Sequence, residues 1–191
     1  MYLGQYHKFS LTEVELIKAS TLVRKVRTGD FVLEKGEVPC ELIFVSEGAL
    51  CAGHSVHSDD EVISCFVDHG SFATDVYTFV KGAKAPEWLR AVVDTTLTVV
   101  SRERYVRLSA RVVAWEGVMS KIAGSALLER IIKRTPVDGH DARTKFLAFE
   151  ARYPTLAGRI PKSIIASYLG LGPATLSRVR SAIRRETGVV E

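Results

Sequence analysis

The side chains best suited to chemistry lie in the last third of the chain, and the chemistry they suit is recognition of a polyanion. Lys162, Arg178, Arg180, Arg184 and Arg185 crowd residues 160–185. Between them run Ile165, Leu169, Leu171, Leu176, Val179 and Ile183, at the spacing of two helices packed on each other. Ala166 is small where those helices must cross closely. Gly170 stands where the chain must turn, because glycine tolerates the positive φ of a tight turn. Pro173 suits the first turn of the second helix, where a missing N–H leaves nothing unpaired. The pattern predicts a helix-turn-helix with a basic second helix.

The solvent face of that helix sets the chemistry. With Leu176, Val179 and Ile183 turned inward, Ala174, Ser177, Arg178 and Ser181 share the opposite face, with Thr175 beside them. One guanidinium among small residues can enter a major groove and meet guanine O6 and N7 with two hydrogen bonds. Lys162 and Ser163 open the first helix, and Arg180, Arg184 and Arg185 flank the second. These suit phosphate contacts, which position a protein on DNA without reading sequence. The plainer reading of the same residues is a helical hairpin with a solvated basic face.

Charge supports the first reading. Residues 1–129 carry 14 Lys+Arg against 17 Asp+Glu, whereas residues 130–191 carry 12 against 5. Only the last part is built to meet a polyanion. A hydrophobic share of 47% over 191 residues allows a real core in one large or two small domains. There is no signal-like N-terminus and no apolar run near the roughly 18 residues of a membrane span, so a cytoplasmic protein without membrane association is expected. Cys40, Cys51 and Cys65 are widely spaced with no Cys-x-x-Cys pair, and are expected as reduced, mostly buried thiols. His54-x-x-His57 reads as an exposed turn, and no metal site is expected from these residues or His69. The chain has no phosphate-cradling glycine loop and no nucleophile–base constellation, so no enzyme is expected.

Upstream elements must carry and orient this motif. Leu11 to Leu22 reads as a short helix with Thr12 as N-cap. From Arg24 to Ser101, runs such as Phe31–Leu33, Leu42–Val45, Val62–Val67 and Leu97–Val100 alternate with turn residues, as in an antiparallel sandwich or roll. Gly29, Gly36, Gly48 and Gly70 mark its corners. A helical period then runs from Glu103 to Arg134, with Val112, Trp115, Met119, Ile122, Ala126 and Ile132 on one stripe. Val118, Ala123, Leu127, Leu128 and Ile131 widen that surface beyond what one face needs. Such a helix is expected to cover the roll and to pair with a second subunit. Thr135–Gly139 reads as a hinge. A helix from Asp141 to Arg152 presents Phe146, Leu147, Phe149 and Tyr153 to a small core, closed by Tyr153-Pro154.

This order of parts resembles the family of the cyclic-AMP receptor protein and the fumarate-nitrate reduction regulator. The resemblance rests on Gly29-Asp30, Gly36-Glu37 and Gly48 in the roll, on Trp88-Leu89-Arg90-Ala91, and on the C-terminal motif. Phe149-x-x-Arg152-Tyr153-Pro154, Arg159-Ile160-Pro161, Ile165–Gly170 and Thr175–Arg178 are similar to a Bacteroidetes-type branch. The resemblance implies an α+β chain: an antiparallel, cyclic-nucleotide-binding-like β-roll (1–109), a long dimerisation helix (110–134) and a winged helix-turn-helix (135–191). It implies a homodimeric transcription regulator on a palindromic operator, with RNA polymerase as a further partner. A signal would pass from roll to DNA through the long helix and the hinge.

The chain also departs from the family. The family's nucleotide pocket pairs Gly-Glu on a short helix with a later Arg-Ser or Arg-Thr, so that a carboxylate takes the ribose hydroxyl and a guanidinium the cyclic phosphate. Laid on that pattern, the pocket here is Phe72, Thr74, Asp75, Lys84, Ala85 and Arg90. Asp75 is one methylene short, Ala85 has no cation and Pro86 no N–H, although Lys81 and Lys84 stand nearby. Cyclic AMP is therefore not expected to bind, the effector is unassigned and no cofactor is expected. Three cysteines are too few for a four-thiolate iron–sulfur cluster. In the reading helix the family's Arg and Glu before the Thr175 position are replaced by Pro173 and Ala174, which implies fewer base contacts. The alternative function is a ligand- or protein-binding module carrying a degenerate helix-turn-helix.

Overall fold

A computed structural model describes residues 2–57, 60–134 and 141–187. The alternating apolar runs form two antiparallel sheets. One orders β1 (Leu22–Val26), β7 (Thr95–Ser101) and β3 (Glu41–Glu47) as β1-β7-β3. The other orders β2 (Phe31–Leu33), β6 (Trp88–Ala91), β4 (Ala49–His57) and β5 (Asp60–Asp68) as β2-β6-β4-β5. Ile43, Val45, Leu50, Ala91, Leu97 and Val99 fill the space between them, as the two-residue period of a strand requires. Two glycines are demanded by close approach. At Gly48 (φ +86°) a Cβ would lie 2.5 Å from Thr95 Oγ1 and 2.6 Å from the Asp94 carbonyl. At Gly53 it would meet the Trp88 ring at 2.5 Å.

The helices pack around this roll. The first, α1 (Leu11–Ser20), is capped by Ser10 and not Thr12: the Ser10 side chain takes the Glu13 N–H while Glu13 returns a bond to the Ser10 backbone. A short helix, α2 (Val76–Lys81), interrupts the run between β5 and β6. The expected helix from Glu103 to Arg134 is two helices, α3 (Arg102–Arg111) and α4 (Trp115–Arg134). The break passes through Val112 and Val113, whose β-branched side chains resist helix. Periodicity could not reveal it, because the steps Leu108–Val112–Trp115 keep the helical spacing.

The break lets Tyr105 and Leu108 of α3 share a core with Trp115, Met119 and Ile122 of α4, together with Phe79 of α2. Val112, Trp115, Met119 and Ile122 of the expected stripe are buried, as is Val118 of the set expected to widen it. Ala126 is exposed, and Leu127 and Leu128 are each 61% exposed. The side chains of Ile131 and Ile132 and the hinge Thr135–Gly139 lie outside what is described. Two smaller expectations are corrected. His54 and His57 belong to strand β4 and not to a turn. Of the three cysteines only Cys51 is buried, while Cys40 is exposed and Cys65 intermediate.

Two more helices, α6 (Lys162–Leu169) and α7 (Pro173–Thr187), follow α5 (Ala142–Arg152), whose Asp141 cap accepts the N–H groups of Arg143 and Thr144. Their core of Phe146, Phe149, Tyr153, Leu156, Ile160, Ile165, Ala166, Leu169 and Leu176 is continuous with Cys51, Ile63, Phe66 and Trp88 of the second sheet. That sheet is therefore buried on both faces, by the roll interior on one side and by the C-terminal head on the other.

Candidate nucleic-acid interface

The turn of the motif is built as its residues require. Gly170 closes α6 in the left-handed region (φ +62°), and its N–H reaches the carbonyls of Ala166 and Ser167. Leu171 N–H returns to Ala166 O at 2.9 Å, and Lys145 Nζ reaches the Leu169 carbonyl at 3.3 Å. Ala166 is buried at the crossing. Pro173 is the first residue of α7. The far end of α7 is tied to α5 by a two-pronged ion pair of Arg143 with Glu186. Of the residues expected in the head core, Phe146, Phe149 and Tyr153 are buried, but Leu147 is 41% exposed. It stands next to Phe146 on α5, and one helix face cannot bury both neighbours.

The outer face of α7 is open. Ala174, Thr175, Ser177, Arg178 and Ser181 are all exposed on α7, while Leu176 is buried and Val179 and Ile183 pack inward. Lys162 and Ser163 are exposed at the start of α6. That helix begins after Pro161 with no side-chain cap, and its Ile164 N–H bonds the Pro161 carbonyl at 3.1 Å. Arg184 and Arg185 lie toward the end of α7, and Arg185 Nε bonds Ser181 O at 3.3 Å. Arg180 sits differently: half-buried, its guanidinium lies 5.6 Å over the Phe146 ring. The other candidates are exposed; Arg180 braces the core of the head.

The residues laid on the nucleotide pocket each have an internal partner or an exposed position. Phe72 stacks edge-on with Phe44 and Tyr2. Thr74 is buried, accepting from Ile43 N–H and donating to the Glu41 carbonyl, both at 3.2 Å. Asp75 caps α2, accepting from Tyr77 N–H and the Thr78 hydroxyl. Lys84 is exposed. Ala85 is buried, its N–H given to Glu37 O at 2.7 Å and its carbonyl bonded by Gly36 N–H at 2.8 Å. Arg90 grips both carboxylate oxygens of Glu61, at 2.9 and 2.5 Å, and its guanidinium lies 4.8 Å from the Trp88 ring.

One contact carried no signal in the sequence. Ser167, one turn after Ser163 on α6, bonds the backbone of β5, donating to Glu61 O at 2.7 Å and accepting Ile63 N–H at 3.1 Å. Beside it an open cleft of about 420 Å³ separates Glu61 and Val62 from Ser163, Gly170 and Pro173. Burial pushes the neighbouring Cys51 thiol up to about 12, against the partial pull of Arg90. Among the described residues no group of three or more His, Cys, Asp or Glu is placed to hold a metal, and no helix is long and apolar enough to cross a membrane.

Residues 23–111 match the family model of the cyclic nucleotide-binding domain. The chain also superposes over most of its length on solved regulators. FixK2 from Bradyrhizobium japonicum is 17% identical with a TM-score of 0.73, covering 87% of this chain and 86% of that one. The c-di-GMP-responsive global regulator CLP of Xanthomonas campestris is 16% identical with a TM-score of 0.71, covering 93% of each. A transcriptional regulator of the CRP/FNR family from Thermus thermophilus is 14% identical with a TM-score of 0.64, covering 86% and 87%. The chain has the Crp/Fnr fold. No curated protein matches it in sequence. β1–β7 with α2 form the roll, most of which lies within the matched residues 23–111, and α4 to α7 follow it along the chain.

Proposed function

We propose that this chain is a cytoplasmic, homodimeric, sequence-specific DNA-binding transcription regulator whose roll does not take cyclic AMP. One observation carries the reading. Lys162 and Ser163 at the start of α6 and the small-residue face around Arg178 on α7 are all exposed, while Leu176, Val179 and Ile183 pack inward. The first N–H groups of α6, with Lys162 and Ser163, hold a phosphate. That anchors α7 so that Ala174, Thr175, Ser177 and Ser181 let the backbone approach the bases, and Arg178 reads a guanine. Leu127 and Leu128 on α4 supply the apolar face for a second copy, so that two heads meet successive major grooves about 34 Å apart. The division into roll (1–109), long helix (110–134) and head (135–191) and a contact with RNA polymerase belong to the same reading.

The pocket positions support the second half of the proposal. Asp75 is engaged as a helix cap, the Ala85 backbone is bonded on both sides, and Arg90 is held by Glu61. Ala85 itself offers a cyclic phosphate no cation, and the neighbouring Lys84 is exposed. Selection from a random duplex pool, with and without cyclic AMP, tests both halves. A palindrome with half-sites about 10 base pairs apart, enriched equally in the two conditions, is expected. Failure to enrich any sequence would overturn the regulator, and enrichment only with cyclic AMP would overturn the pocket reading.

A further inference from the structure

The roll and the head meet along the open edge of β5. β5 is the last strand of its sheet, so its outer row of backbone groups has no strand partner. Ser167, in the middle of α6, takes that place, its single hydroxyl bonding the Glu61 carbonyl at 2.7 Å and the Ile63 N–H at 3.1 Å. Along a strand, the carbonyl of one residue and the N–H two residues on point the same way. A hydroxyl seated between them fixes α6 in register along the strand as well as in contact with it. The strand end is itself braced, because Arg90, stacked on Trp88, grips the Glu61 carboxylate. Beneath this bond Ile63, Phe66, Cys51 and Trp88 share one core with Phe149, Tyr153, Ile165 and Leu169.

Leaving this position would exchange two protein hydrogen bonds for bonds to water and return large apolar side chains to water. Staying in it leaves Lys162, Ala174, Ser177, Arg178 and Ser181 exposed, and Ser163 exposed on the open cleft facing Glu61 and Val62. We propose that DNA is bound with the head in this docked position. The roll is then a fixed mount that sets the angle of the reading helix, and Ser167 is its positioning residue. This rests on the DNA-binding reading above and replaces the expected relay from the roll through the 135–139 segment.

Hydrogen exchange of the full chain, free and saturated with a short DNA duplex at low salt, tests it. The β5 edge amides around Ile63 keep equal protection in both states. Ser167→Ala raises their exchange in the free chain by about five- to thirty-fold, the range for one or two lost hydrogen bonds. Ser167→Thr, which keeps the hydroxyl, stays near the parent. Loss of β5 protection on adding DNA, or unchanged exchange in Ser167→Ala, overturns the mount. If no duplex binds at low salt, the DNA reading falls, while the Ser167 variants still decide whether the clamp exists.

Discussion

Replacing Phe66 with alanine tests whether roll and head share a core. Phe66 is 3% exposed, and its ring lies 5.0 Å from Tyr168, 5.4 Å from Tyr153 and 5.7 Å from Phe149. These three rings all come from the head, although Phe66 belongs to β5. Burying a phenylalanine is worth about 1.5–3 kcal/mol from area alone. A residual cavity among three rigid rings, which cannot collapse, brings the expected loss to about 3–5 kcal/mol. Phe66→Leu restores most of the volume but not the edge-to-face pairs with Tyr153 and Tyr168, each worth about 0.5–1.5 kcal/mol, so about 1–3 kcal/mol is expected. Urea unfolding followed by circular dichroism gives both values, with an unchanged slope showing that the same surface unfolds. A loss below about 1 kcal/mol for Phe66→Ala, against the range expected for a filled core site, would mean that its ring is not packed between roll and head.

Arg178→Ala is expected to weaken specific DNA binding by about 1–3 kcal/mol and relax preference at one base pair, whereas Lys162→Ala weakens all sequences alike and lowers the salt slope by about one, both read by fluorescence anisotropy. Gly48→Ala forces a Cβ against Thr95 and the Asp94 carbonyl at positive φ, and thermal unfolding should show a loss of about 1–3 kcal/mol. The Cys51 thiol rises from its ordinary 9.0 to about 12 on burial. Above pH 9 the unfolded chain therefore sheds a proton that the folded chain keeps, and stability falls as pH rises from about 9 toward 12. Cys51→Ala should flatten the start of that decline in urea midpoints between about pH 8 and 10. Unmodified chain with a flat profile there would refute the assignment.

The motif was legible because everything that specifies it is local. Ala166, Gly170 and the apolar set from Ile165 to Ile183 act within a turn or two of one another, and they stand as their spacing implies. The cap of α1 was legible too, in the pattern Ser10-x-x-Glu13, which outranks Thr12 because its two bonds are reciprocal. The break at Val112–Val113 was not, since helical phase continues across it. Nor could sequence show where the effector-pocket positions would find their bonds. Asp75 has the chemistry of a nucleotide contact and of a helix cap alike, and only the path of α2 decides between them.

The docking of the head divides between these cases. Ser167 lies 104 residues from Ile63, and no local pattern assigns a mid-helix serine to a distant strand edge. Yet the strand it meets did carry a signal. Val62-Ile63-Ser64-Cys65-Phe66-Val67 is nearly continuous in apolar character, and a strand with one wet face alternates instead. Read for its missing alternation, β5 announces that both of its faces are covered. The roll interior takes one, through Val67. Something else must take the face of Ile63 and Phe66, and the head supplies Phe149, Tyr153 and Tyr168. A roll that moved freely against the C-terminal head would keep that outer face polar. The burial of Phe66 therefore argues for a coupled unit from the strand pattern as well as from the packing.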